Sequence, residues 1–183
     1  TLNPFIWQRF FKRVVKEKCE CGVTVVSFHA VVQSRIWGID FDSLLFTNIT
    51  HDHLDYHKSF TDYLQAKIKL FSDNPDARAI LNADSKYIKN FKKAVNSQII
   101  TYSLKNKGLV NAKKTKMYDD RSTFVISWLG NEVEAKLNIA GLFNISNALA
   151  AFCTGLGYNL SPRSIVNALG NIKKINPISV LIF

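Results

Sequence analysis

Four short apolar runs, at residues 23–28, 43–47, 77–82 and 98–102, are set apart by stretches long enough for helices, and this alternation constrains the fold more than any other feature of the chain. Trp7, Phe10, Phe11, Val14 and Val15 recur at helical spacing, so an amphipathic helix is expected to end near Lys18, with Gly22 breaking to the first run. A second helix is expected from Phe60 and a third near residues 86–95. Strands that alternate with helices feed a parallel sheet whose two faces the helices cover. Beyond residue 123 the pattern changes. Residues 124–128 and 133–137 alternate apolar and polar around Gly130-Asn131, which predicts a β-hairpin. The Ala- and Leu-rich stretch 144–156 reads as a helix, and Ser161-Pro162 opens another that Gly170 closes. The expected fold class is therefore α/β: a mostly parallel sheet flanked by helices, with a small antiparallel hairpin excursion, in one domain.

The 183 residues are 47% hydrophobic, enough for one well-buried core and too apolar for a disordered chain. Cys19, Cys21 and Cys153 are odd in number and no signal peptide precedes them, which favours a reduced, cytoplasmic setting. No apolar run reaches the roughly 20 residues a membrane helix needs, so no membrane partner is expected. The net charge of +10 comes from scattered pairs such as Lys12-Arg13, Lys92-Lys93, Lys113-Lys114 and Lys173-Lys174. Without interleaved aromatics these read as solvated surface rather than as a nucleic-acid interface.

The chemistry concentrates after the second run. His51, His53 and His57, three of the four histidines, fall within seven positions beside Asp52 and Asp55. A strand end places this segment at the carboxyl edge of the sheet, where open α/β folds bind ligands. Three readings stand: His and Asp ligands for a divalent cation such as Mg²⁺ with its waters and phosphates, a three-histidine zinc site, or a polar structural loop. Downstream, Ser59 with Asp62 is a capping-box start, and Phe60, Tyr63, Leu64, Lys67, Leu70 and Phe71 share one helical face. Lys67 therefore points inward. A buried ammonium is costly unless it meets an opposite charge or is chemically changed.

The string Phe46-Thr-Asn-Ile-Thr-His-Asp-His-Leu-Asp-Tyr-His57, followed by Ala66-Lys67, resembles the central domain of the Mur ligases, of the MurE type. Three other segments resemble the family in order. Thr1 is similar to the second threonine of an Asn-Thr-Thr motif; residues 27–35 are similar to Ser-Ser-His-x-x-x-Gln-x-Arg; residues 141–148 are similar to Gly-x-Phe-Asn-x-x-Asn. The resemblance implies a P-loop-type central domain over 1–174, lacking its N-terminal phosphate-binding segment, with a divergent tail over 175–183. It implies an ATP-dependent ligase of peptidoglycan synthesis, in which the D-glutamyl carboxylate of UDP-MurNAc-L-Ala-D-Glu takes the γ-phosphate of ATP. The amino group of a diamino acid then attacks the acyl phosphate. On this resemblance His53 holds Mg²⁺ and Lys67 reacts with CO₂ to become a carbamate that helps to hold it. Thr1, Ser27, Gln33 and Arg35 contact the UDP-muramoyl peptide, and Asn144 and Asn147 lie near the adenine.

Plainer roles compete: Ser27 and Gln33 as element-end polar residues, Asn144 as a helix cap, Lys67 as a snorkelling side chain. The chain also departs from the family. No Gly-Lys-Thr loop precedes Thr1, Val25 stands where the family has a metal-binding glutamate, Phe28 replaces the second serine, and residues 175–183 replace a Gly-Arg-hydrophobic-Glu stretch. The expectation that follows is a ligase fragment inactive alone, with a non-catalytic muramoyl-peptide-binding module as the alternative and a basic nucleic-acid binder as a weaker third. The sequence leaves open whether the diamino acid is diaminopimelate or lysine, and what the oligomeric state is.

Overall fold

The computed structural model describes residues 4–49 and 60–172. Its elements are α1 (Pro4–Lys16), α2 (Phe28–Val32), β1 (Ser43–Phe46), α3 (Phe60–Ser72), β2 (Arg78–Asn82), α4 (Ile88–Lys92), β3 (Ile99–Ser103), β4 (Val110–Met117), β5 (Ser122–Trp128), β6 (Asn131–Leu137), α5 (Leu142–Gly157) and α6 (Pro162–Gly170). The six strands form one sheet in sequence order. β1, β2, β3 and β4 pair in parallel, whereas β4, β5 and β6 pair antiparallel. The expected α/β class with an antiparallel excursion is the observed one.

The period of two along β2 divides the core into two layers. Ala79 and Leu81 pack with Leu44 and Phe46 of β1, Leu64 and Phe71 of α3, and Phe91 of α4. Ile80, between them, faces the other way, toward Ile100, Tyr102, Ile145, Leu149 and Phe152. Helices α3 and α4 thus cover one face of the sheet, and α5 and α6 cover the other. Helix α1 forms as expected, although Trp7 alone of its residues is buried.

Two expectations need correction. The run at 23–28 is not a strand: residues 21–27 make no ladder and Phe28 already belongs to α2. A strand exists only where a neighbour takes its hydrogen bonds, and the Ser27 hydroxyl instead accepts from the Ala30 N–H at 3.3 Å, which starts a helix. The hairpin turns one residue earlier than its Gly130-Asn131 signal. Trp128 pairs with Asn131, leaving Leu129 and Gly130 as the loop, with φ of +46° and +80°. Positive φ at both positions is the geometry that suits the twist of the flanking strands. Strand β4 had no sequence counterpart. Only Val110 and Ala112 of its eight residues are buried, so its lysine-rich remainder shows no alternation.

Parallel neighbours normally need a crossover of a dozen residues or more, yet six residues join β3 to β4. The strands overlap at two pairs alone, Tyr102 with Val110 and Ser103 with Asn111. The return is possible because Gly108 lies against the Tyr102 backbone, where a Cβ would sit 2.7 Å from the Tyr102 carbonyl carbon.

Candidate active site at the carboxyl edge of the parallel strands

Helix α5 runs opposite to the parallel strands. Near its end, Tyr158 accepts a hydrogen bond from the Ser43 hydroxyl at 3.1 Å and lies under the Arg78 guanidinium, at the amino ends of β1 and β2. Near its start, the Ser146 side chain lies beside the Tyr102 hydroxyl, at the carboxyl end of β3. Asn144 and Asn147 are therefore carried to the carboxyl edge. Gly141 caps α5 with φ +114°, a backbone angle that favours glycine, and the Asn144 side-chain amide donates to the Ala140 carbonyl at 2.7 Å. Asn144 thus ties the entry of the helix to Ala140 from within the first turn, and the cap that the plainer reading gave it belongs to Gly141. Asn147, one turn on, is half-buried.

On the opposite face, α2 packs against α3. The Phe28 ring meets the Tyr63 ring at 5.8 Å, and the Lys67 ammonium lies 5.1 Å from the centre of the same Tyr63 ring. Lys67 is half-buried, and loss of solvation lowers the pKa of its amine. The inward orientation read from helical spacing is the observed one. A lowered pKa enlarges the fraction of free amine, the form that can attack an electrophile such as CO₂. Ser27 caps α2 directly before Phe28, while Gln33 is the exposed C-cap of α2 and Arg35 follows half-buried, its N–H bonded to the Ala30 carbonyl at 2.8 Å. Val25 is half-buried and has no oxygen to offer a cation. His53 and Thr1, with the rest of the 50–59 histidine segment and the tail from residue 173, lie outside the described residues. Among the described residues no three His, Cys, Asp or Glu side chains converge as a metal cluster. Of the two expected metal ligands Lys67 is the one described, and its lowered amine pKa favours the neutral amine from which a carbamate would start.

Several polar residues of this edge carried no sequence signal. Asn82, at the end of β2, donates from its amide to the Thr47 carbonyl at 2.8 Å and accepts the Asp84 N–H at 2.9 Å. The Asp84 carboxylate accepts from the Ser103 hydroxyl at 2.6 Å and the Leu104 N–H at 2.7 Å. Tyr102, fully buried, donates to the Phe46 carbonyl at 3.4 Å, and burial pushes its phenol pKa upward, so the proton stays in place. Cys153 is likewise buried with its thiol pKa raised, while Cys19 and Cys21 are exposed, and no disulfide joins them.

The Mur ligase middle-domain model matches residues 1–155. The chain belongs to that family. Its relatives include the UDP-N-acetylmuramoyl-L-alanyl-D-glutamate–2,6-diaminopimelate ligase of Bacillus velezensis, 35% identical over 175 residues, covering 92% of this chain and 36% of the relative. The enzyme of the same name from Geobacillus thermodenitrificans is 35% identical over 182 residues, covering 96% of this chain and 37% of the relative. Among solved structures, a ligase of that name superposes with a TM-score of 0.88 at 22% identity, covering 96% of this chain and 37% of that one. MurF from Acinetobacter baumannii gives 0.66 at 22% identity, covering 72% and 29%. These likenesses establish the Mur ligase central fold for this chain. The chain spans about a third of the length of these relatives. No helix among the described residues is long and apolar enough to cross a membrane.

Proposed function

We propose that this Mur ligase middle domain, over residues 1–174, serves an ATP-dependent, cytoplasmic amide ligase of peptidoglycan synthesis. The reaction joins a diamino acid to UDP-MurNAc-L-Ala-D-Glu through an acyl phosphate. 2,6-Diaminopimelate is the diamino acid that the relatives' names print, and it is the substrate proposed here. The observation that carries this reading is the desolvated Lys67 amine seated over the Tyr63 ring, which also meets Phe28 of α2, in a chain of this family. As a free amine Lys67 attacks CO₂, forms an N–C bond and releases a proton, giving a carbamate. That carbamate and His53 are the groups proposed to hold Mg²⁺, which when bound neutralises charge on the phosphates of ATP. Thr1, Ser27, Gln33 and Arg35 are proposed to bind the UDP-muramoyl peptide, the planar Arg35 fork suiting a carboxylate or phosphate. Asn144 and Asn147 are proposed to flank the adenine.

Two measurements on the longer protein containing this domain test the reading. With ¹³C-bicarbonate, a carbamate carbon signal is expected that is absent in Lys67→Met, and UDP-MurNAc-L-Ala-D-Glu with 2,6-diaminopimelate is expected to drive ADP release. Absence of both results sinks the reading.

A second reading, a muramoyl-peptide-binding module without turnover, is favoured by Val25 and Phe28, which put apolar side chains where the family resemblance expects a glutamate and a serine. Calorimetric binding of the UDP-muramoyl dipeptide without ADP release selects it.

A further inference from the structure

The β1–β2 ladder ends at Phe46 with Leu81. The next residue on each strand is Thr47 and Asn82, and here a side chain takes over from the backbone: the Asn82 amide donates to the Thr47 carbonyl at 2.8 Å. The same side chain is held from its other end, because its Oδ1 accepts the Asp84 N–H at 2.9 Å. Asp84 is in turn fixed by the buried Ser103 hydroxyl and the Leu104 N–H. Ser103 also accepts from the Lys105 and Lys107 N–H groups at 2.8 and 3.1 Å. A continuous polar chain thus runs across the carboxyl edge from the β3–β4 loop to Thr47, four residues before His51. An amide whose two ends are both engaged has one orientation, and it transmits that orientation to the carbonyl it grips.

We infer that Asn82 is a positioning residue: from β2 it fixes the backbone at Thr47, six residues before His53, the proposed Mg²⁺ ligand. The catalytic consequence rests on the proposed ligase reading; the anchoring itself does not. Asn82→Asp is the incisive variant. It keeps the acceptor for Asp84 and the side-chain volume but loses the donor, setting a carboxylate oxygen against the Thr47 carbonyl. Ser103→Ala is the control, since it loosens the same polar chain at its far end without touching Thr47.

In the longer protein, amide hydrogen exchange at Asn48 and Ile49 is expected to accelerate about tenfold in Asn82→Asp, with β5 and β6 unmoved. The half-saturating Mg²⁺ concentration for ADP release is expected to rise about tenfold while kcat falls less. Ser103→Ala is expected to lower the melting temperature and leave the Mg²⁺ dependence unchanged. Exchange at Ile49 unaltered by Asn82→Asp overturns the anchoring. Faster exchange with unaltered Mg²⁺ dependence, or an equal Mg²⁺ shift in Ser103→Ala, overturns the positioning role. A protein that releases no ADP at any Mg²⁺ concentration sinks the ligase reading instead, and the exchange measurement still decides what Asn82 does.

Discussion

The Lys67 ammonium sits 5.1 Å from the centre of the Tyr63 ring, one helical turn upstream on the same face of α3. The ring offers its negative face to the cation, but it does not replace the lost water, and the amine pKa falls below its ordinary 10.5. Between the lowered value and 10.5 the unfolded chain binds more protons than the folded one, so wild-type stability rises with pH through that window. Below it the desolvation cost is fully present. Lys67→Met, which removes the charge and keeps helix propensity, is expected to be more stable than wild type at pH 7, with the gain shrinking as pH approaches 10. Urea denaturation across pH checks this, and a gain constant with pH contradicts it.

Gly108 is the hinge of the short return from β3 to β4. A methyl group there meets Tyr102 backbone atoms at 2.7 and 2.8 Å, and backbone cannot rotate away as a side chain can. Gly108→Ala is expected to cost about 2–3 kcal/mol, the upper range for overpacking, seen as a lowered urea midpoint with an unchanged slope.

The hairpin turn carries strain that can be removed. Leu129 holds φ +46° and is 74% exposed, so it contributes little packing to offset a left-handed backbone. Leu129→Asn, a residue that tolerates this region and favours the first position of such a turn, is expected to stabilise the protein by about 0.5–1 kcal/mol. Thermal denaturation reads this directly.

Helix α6 depends on its N-cap. The Ser161 hydroxyl accepts the Ser164 N–H at 3.1 Å, and Pro162 follows at the first helical position. Ser161→Ala is expected to cost about 1 kcal/mol, whereas Ser161→Asp, which restores an acceptor, recovers most of it.

How much of this was legible follows from the range of each interaction. Helices α3, α5 and α6 stood out because their signals are local: the spacing of Tyr63, Leu64 and Phe71, and the cap at Ser161-Pro162, depend on residues a few positions apart. The inward face of Lys67 was legible for the same reason. Residues 23–28 misled because an apolar, β-branched run has the side chains of a strand whether or not a partner is present to receive its hydrogen bonds. Strand β4 was hidden because Lys113, Lys114 and Lys116 face solvent, so pairing with β5, rather than burial, holds that half of the strand. At the candidate site, Ser27, Lys67 and Asn144 announced themselves by motif, but the grip of Asn82 on Thr47 spans 35 positions and that of Tyr102 on Phe46 spans 56, and no pattern within either segment names its partner.

The sequence by itself determined the α/β class, the family and the inward lysine, because periodicity and motif spacing are properties of neighbouring residues. Only the tertiary structure decided which apolar run gains a ladder, where the chain doubles back at Gly108, and which side chains lock the carboxyl edge. Each of these depends on groups that meet only once the sheet is assembled, so their geometry is written in the packing and not in any one segment.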